Sequence, residues 1–334
     1  EIRLSLVGSE MCIRDSRPSS QKHNSNPSKI MPREAEKIDF EIIHHLPNQL
    51  GECPVWDDRE NLLYWVDIKA RQILRHDPSN EKTDSADVPG RPGMLALCED
   101  GGLVIAQERG LQRFSFEEGL QEFLVQVEPK DNEKVRINDS KVDRGGRLWL
   151  SSMADPSIPG EKHGNLFCWD GTSPVLKIAG PLGVGNGMAF AEDGETFWYA
   201  DTHARTVWKC RMNPENGSLV EKEVFAEYFS EAGRPDGACI DAEGFYWVAV
   251  VDGWRLDRFS PDGRLDRSLA VPFQKPSCPG FGGENLSQLY VTSISQGSST
   301  PLEPDQPDAG KLIALEPGCQ GVKEPRMKQW NPMV

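Results

Sequence analysis

Apolar residues in this chain fall in short runs that alternate with polar positions and end in turn residues. This pattern predicts β-strands, with almost no 3.6-residue period that would mark helices. The stretch Arg234-Pro235-Asp236-Gly237-Ala238-Cys239-Ile240-Asp241-Ala242-Glu243-Gly244-Phe245-Tyr246-Trp247-Val248-Ala249 shows the unit most fully. An acidic residue enters a short apolar strand, Asp-Ala-Glu-Gly makes a tight turn, and a second strand of aromatic and β-branched residues follows. Aligning the centre of each second strand puts Tyr64, Val104, Trp149, Trp198, Trp247 and Tyr290 in one column, 40, 45, 49, 49 and 43 residues apart. Small residues follow two places on, at Val66, Ala106, Ser151, Ala200, Ala249 and Thr292. Repeats of about 40 to 50 residues built from short strands match propeller blades of four strands each. The pattern therefore predicts an all-β chain, a six-bladed β-propeller closed around a central channel.

A closed ring needs a latch. Ile38 to His45 reads as a strand before the first repeat, and Lys311-Leu312-Ile313-Ala314-Leu315 as a late one. Pairing the two within one blade removes an open sheet edge. Residues 1–30 stand apart: the apolar piece in Glu1 to Ser16 is too short for a secretory core, Ser5 to Ser16 resembles translated adapter DNA, and Arg17 to Ser28 is polar and aperiodic. They are expected to form a disordered or non-native extension, with Met31 as an internal start and 31–334 as one propeller domain. Ser152 to His163, rich in Pro and Gly, is a candidate lid over the channel mouth, and Ser298 to Pro307 a surface loop of the last blade.

Composition narrows the partners. A net charge of −15 over 334 residues argues against nucleic acid and anionic membranes, which need clustered Lys and Arg, and favours attraction of cations. No apolar run approaches a transmembrane length. The eight cysteines, at 12, 53, 98, 168, 210, 239, 278 and 319, are spread about one per repeat with no Cys-x-x-Cys pair. They read as small buried hydrophobes in a reducing compartment, so the expected location is the cytoplasm. Neither a Gly-x-Ser-x-Gly elbow nor a His-Glu-x-x-His helix is present, which removes support for serine-hydrolase and zincin chemistry. His203, after Asp201-Thr202, reads as a surface or supporting histidine near the mouth.

Chemistry enters through the starts of the inner strands. Counting back from the aromatic column gives Glu52, Gly93, Asn138, Asn186, Asp236 and Ser277. In a radial fold these positions converge on the axis, and four of them carry a carboxylate or a carboxamide. Glu52, Asn186 and Asp236 suit a hard divalent cation, whereas Asn-Gly at 186–187 and Asp-Gly at 236–237 are equally ordinary turn chemistry. Both readings stay open on the repeat alone.

Four blocks then sharpen the picture: Gly51-Glu52-Cys53-Pro54-Val55-Trp56, Arg136-Ile137-Asn138-Asp139-Ser140-Lys141-Val142-Asp143, Gly185-Asn186-Gly187-Met188-Ala189-Phe190, and Arg234-Pro235-Asp236-Gly237 with Cys239-Ile240-Asp241-Ala242-Glu243-Gly244. In order and in register, they resemble the gluconolactonase, senescence marker protein (regucalcin) and luciferin-regenerating enzyme family. The resemblance implies a six-bladed propeller with one central divalent metal on Glu52, Asn186 and Asp236, calcium first and zinc, manganese or magnesium as alternatives. Asp236 is also implied as the general base, and Arg136 and Asn138 as substrate-binding residues. The implied activity is opening of a small sugar lactone by a polarised carbonyl and an activated water, in a monomer or weak homo-oligomer. A calcium-binding regulatory role, or hydrolysis of other esters or phosphoesters, are the alternatives. Ser140, where the family often has Gly, and Asp155-Pro156, near an acidic substrate contact of some animal members, depart from the pattern.

Overall fold

The computed structural model describes residues 27–172, 175–296 and 300–328. They form six sheets, five of four strands and one of five. Each sheet follows the predicted unit: an inner strand, the hairpin partner that carries the aromatic column, and two outer strands. The inner strands are Gly51–Asp57, Leu95–Leu97, Val135–Val142, Gly185–Phe190, Arg234–Ile240 and Pro276–Gly282. Each touches the next, and the last returns to the first, so the ring closes around an axis.

The hairpin turns repeat one device. Asp143 and Asp241 end the inner strands of blades three and five. One carboxylate oxygen of each accepts N–H bonds from the turn, at 2.8 and 3.0 Å for Asp143 and 3.0 Å twice for Asp241. The other oxygen accepts the indole N–H of the column tryptophan, Trp149 at 2.9 Å and Trp247 at 2.8 Å. A fully buried indole needs such a partner. Ala191 takes the place of the aspartate in blade four, and the buried Trp198 Nε1 there has no hydrogen-bond partner.

The latch forms as expected. Phe40–His44 pairs antiparallel with Leu312–Leu315, with Ile42 opposite Ile313, so the first strand of the fold becomes the outer strand of the last blade. Upstream, Glu36 bridges to Leu269 on blade five, and Ser28–Ile30 adds a parallel outer strand to blade four, with Ile30 buried beside Phe225 and Tyr228. The expected extension therefore ends earlier than residue 30: Ser28–Ile30 is part of the folded sheet, held by its pairing to blade four and by the burial of Ile30, its one large apolar side chain. Residues 1–26, with Cys12, lie outside the described residues.

On the opposite face the chain's last described segment crosses the ends of the inner strands. Gly321 bridges to Asp241 and Met327 to Cys98, Glu324 holds the buried Lys141 at 2.6 Å, and Arg326 pairs with Asp57 and Asp58. The channel is thus closed on that side and open on the side where the inner strands begin. Among the described residues no helix is long and apolar enough to cross a membrane, and the seven cysteines are free.

Candidate active site

Five of the six inner strands carry a register shift directly at or after their site position: between Glu52 and Val55, Ile137 and Ser140, Asn186 and Ala189, Pro235 and Ala238, and Pro276 and Pro279. A bulge bends the strand and re-aims a side chain that regular alternation would send elsewhere. Cys53 and Gly187, each directly after a site residue, have φ of 55° and 66°, the conformation such a kink requires. The strand entries are pinned as well. Asp67 accepts the N–H groups of Gln49 and Leu50 at 2.7 and 3.1 Å, and Asp201 those of Gly183 and Val184 at 2.9 and 3.1 Å, fixing the backbone that leads into Glu52 and Asn186.

The result is one cavity of about 100 Å³ at the open mouth, lined by Glu52, Arg136, Asn138, Asn186 and Asp236 together. All five predicted residues meet there. The other two column positions do not: Ser277 is fully buried and its Oγ bonds Gly51 O and Thr292 Oγ1, tying the last blade to the first. A Cβ on Gly93 would lie 2.2 Å from Ile137 O, so only glycine fits beside the third blade's strand.

A chain of hydrogen bonds runs through the floor. Arg136 Nη1 donates to Asn138 Oδ1 at 2.9 Å, Asn138 Nδ2 to Asn186 Oδ1 at 3.0 Å, and Asn186 Nδ2 to Asp236 Oδ1 at 2.5 Å. Thr202 Oγ1 accepts a second bond from Asn186 Nδ2 at 2.9 Å and donates to Pro235 O at 2.8 Å. The relay fixes which way each carboxamide faces and leaves Asn186 Oδ1 a further lone pair. Around it Leu50, Met153, Val184, Val251 and Ile294 form an apolar collar, which lowers the local dielectric and strengthens every charge interaction inside.

The electrostatics are strained. Burial, followed by the charges of Asp236 and Asp139, raises the Glu52 pKa well above the carboxylate range, with Arg136 opposing. Asp236 is raised by burial, then by Asp139, against the pull of Arg234 and Arg136. Asp139 itself, buried behind the cavity with backbone N–H bonds from Ser140 and Met188 at 2.7 and 3.2 Å, is pushed up to about 6 by burial. Arg136 falls to about 10, again through burial. Like charges this close favour protonation or a bound cation. Oxygen donors from two carboxylates and one carboxamide fit a hard divalent ion, although among the described residues no group of three or more His, Cys, Asp or Glu is arranged to hold a metal.

One consequence is measurable in the chelated protein. Folded-state pKa values above those of the unfolded chain mean that the folded state keeps protons the unfolded chain releases near pH ~4. The contribution of these carboxylates to stability should therefore fall as pH rises from ~4 through neutrality. Comparing thermal unfolding at pH 5 and pH 8, Asp236→Asn, which cannot ionise, should lose less Tm than wild type; equal losses would contradict the strain described.

Several site residues escaped the sequence reading. Thr202 and the collar come from loops and second-strand ends, and Arg234 opens the fifth inner strand two residues ahead of the column position. His203 lines the cavity, with Nε2 3.1 Å from Ser157 Oγ, so the Ser152 to His163 segment does reach the mouth. Asp155 is held in an ion pair with Arg91, which also holds Glu108 at 2.7 Å.

The family profile described as SMP-30/Gluconolactonase/LRE-like region matches residues 50–295. A 6-deoxy-6-sulfogluconolactonase of Pseudomonas putida is 34% identical over 280 residues, covering 84% of this chain and 95% of that protein. A regucalcin of Xenopus laevis is 31% identical over 290 residues, covering 85% and 97%. The fold matches that of a calcium-binding protein, regucalcin, from Agrobacterium tumefaciens, with a TM-score of 0.81 at 24% identity, over 89% of this chain and 100% of the other. With the profile spanning most of the propeller and relatives aligned over nearly their full lengths, the chain belongs to the SMP-30/gluconolactonase/LRE-like family.

Proposed function

We propose that this protein hydrolyses sugar lactones, with a divalent cation, calcium first among candidates, held by Glu52, Asn186 and Asp236. The observation that carries the reading is the convergence of these three oxygen donors with Arg136 and Asn138 in one collared cavity. When bound, the ion supplies Lewis-acid polarisation of the lactone carbonyl and offsets the repulsion between the carboxylates. Arg136 and Asn138 orient the sugar hydroxyls and receive the carboxylate that develops. Asp236 takes a proton from the attacking water as its oxygen bonds to the carbonyl carbon. The ring C–O bond then breaks and the ring oxygen takes up a proton, leaving a hydroxy acid. Asn186 Nδ2, donating to Asp236 Oδ1, holds that carboxylate in line.

Lactonase activity in the 34% identical relative supports the substrate class. Calcium binding as a regulatory function is the second reading, favoured by the regucalcin relative, and it uses the same donors. The free cysteines support a cytoplasmic location, and we take the protein as a monomer or weak homo-oligomer. The test is acid release from a panel of sugar lactones at constant pH. Arg136→Lys, which loses the planar fork, should raise KM about tenfold with a smaller effect on kcat. Absence of turnover on every lactone, with stoichiometric calcium binding retained, would favour the regulatory reading.

A further inference from the structure

Besides the five floor residues, four polar side chains line the cavity: Ser157, Thr202, His203 and Arg234. The fold employs two of them, since the Thr202 hydroxyl bonds Asn186 and Pro235 O, and Arg234 pairs with Asp252 at 2.6 Å. Ser157 and His203 bond to each other, Oγ to Nε2 at 3.1 Å, across the seam between blades three and four. Both are presented by pinned backbone. Ser157 lies in the loop between Leu148–Ala154 and Gly164–Trp169, where Asp155 is anchored by Arg91 and by its own N–H to Lys134 O at 2.8 Å. His203 lies in the turn between Thr196–Asp201 and Thr206–Met212, and the N–H groups of His203 and Ala204 bond Asp201 Oδ1 at 3.0 and 3.2 Å. The imidazole packs on Gly183, where a Cβ would lie 2.9 Å from His203 Cβ and 3.2 Å from its Nδ1.

That packing decides the tautomer. Nδ1 is buried and, among the described residues, has no hydrogen-bond partner. An N–H orphaned in such a place costs more than an unused lone pair, so the ring proton sits on Nε2, and Nε2–H donates to Ser157 Oγ. Burial favours the neutral ring as well, with Arg234 and Arg205 acting in the same direction against Asp201. A Ser157 oxygen that accepts from His203 has its own O–H left to donate. It lines the cavity beside an apolar collar that offers a sugar no hydrogen bonds.

We propose that Ser157 is a specificity-determining residue that donates its hydroxyl hydrogen to one hydroxyl oxygen of the lactone, and that His203 is the positioning residue that fixes the direction of that donor. The inference rests on the lactonase reading for the same cavity, and adds a contact that selects a hydroxylated ring over one lacking that hydroxyl. A site that aims a donor at a substrate oxygen leaves the donor unpaired when the oxygen is missing, which is how such a contact discriminates.

The experiment measures kcat and KM for D-glucono-1,5-lactone and its 2-, 3-, 4- and 6-deoxy analogues, subtracting spontaneous hydrolysis, in full-length wild type, Ser157→Ala, His203→Ala, His203→Gln and the Ser157→Ala/His203→Ala double variant. Ser157→Ala should raise KM for the parent lactone about three- to tenfold with kcat within about twofold. It should do the same for every analogue but one, and the insensitive analogue names the hydroxyl contacted. His203→Ala should raise KM as well, His203→Gln, which keeps an N–H donor, should recover part of that loss, and the double variant should be no worse than Ser157→Ala, because His203 acts through Ser157. Unchanged KM in Ser157→Ala, equal losses on the parent and all four analogues, or losses that multiply in the double variant would overturn the proposal. Should wild type not open the lactone, thermal shifts with D-gluconate in the presence of calcium separate the two readings. Stabilisation that Ser157→Ala weakens keeps the hydroxyl contact while the lactonase reading fails, and stabilisation equal in both proteins, or none, overturns the contact too.

Discussion

Asp236→Ala should lower kcat/KM for a sugar lactone by about 10³-fold, because one substitution removes a general base, typically worth ~10²–10⁴-fold, together with a cation ligand. Its signature separates it from damage to the fold. Asp236 is held high by burial and by the charge of Asp139, and itself raises Glu52, so replacing it relieves repulsion in the metal-free protein. The variant should therefore unfold at the same or a higher temperature than chelated wild type at pH 8 while binding the divalent ion far more weakly. Asn186 keeps its bond to Thr202 Oγ1 at 2.9 Å, which leaves the rest of the relay in place. Wild-type turnover in Asp236→Ala would remove Asp236 from the chemistry.

Deleting residues 38–45 should abolish folding of the ring or leave an aggregating product. The segment supplies the outer strand Phe40–His44 of the last blade, packs Ile38 and Ile42 against the core of blades five and six, and links to the Glu36 bridge on blade five. Each ladder hydrogen bond is worth about 1 kcal/mol net, and each half-buried aliphatic side chain about 1 kcal/mol. Their sum is of the same order as the ~5–15 kcal/mol that holds a typical domain together. Removal also bares the edge Leu312–Leu315, an apolar strand open to pairing between molecules. A soluble deletion variant with a single cooperative melt would show that the ring closes without this latch.

The blades were legible because their second strands are buried on both faces. Trp149, Trp198 and Trp247 recur at the same place in each hairpin, and each is almost wholly enclosed. The oxygen-bearing inner positions were legible for a related reason: a radial repeat brings equivalent residues to one axis, so period alone put Glu52, Asn138, Asn186 and Asp236 in a common column. What the period could not convey is geometry set between blades. Arg234 and Asp252 belong to adjacent strands, yet Lys275 and Thr300 reach them from the next blade. Asp155 had the right chemistry for a substrate contact and is instead spent on Arg91 from the second blade. Ser28–Ile30 carries too little hydrophobic signal to read as a strand, and its partner Ala226–Tyr228 is distant in the chain.

The central claim is that the collared cavity opens lactones through a cation held by Glu52, Asn186 and Asp236. Its most direct test is acid release from glucono-1,5-lactone at constant pH by chelated protein, with calcium, zinc, manganese or magnesium added back, in wild type and in Glu52→Gln. The account predicts turnover that vanishes on chelation, returns with at least one of these ions in wild type, and does not return in Glu52→Gln at the same ion concentration. Full turnover in the chelated protein, or restoration in Glu52→Gln equal to that of wild type, would contradict it.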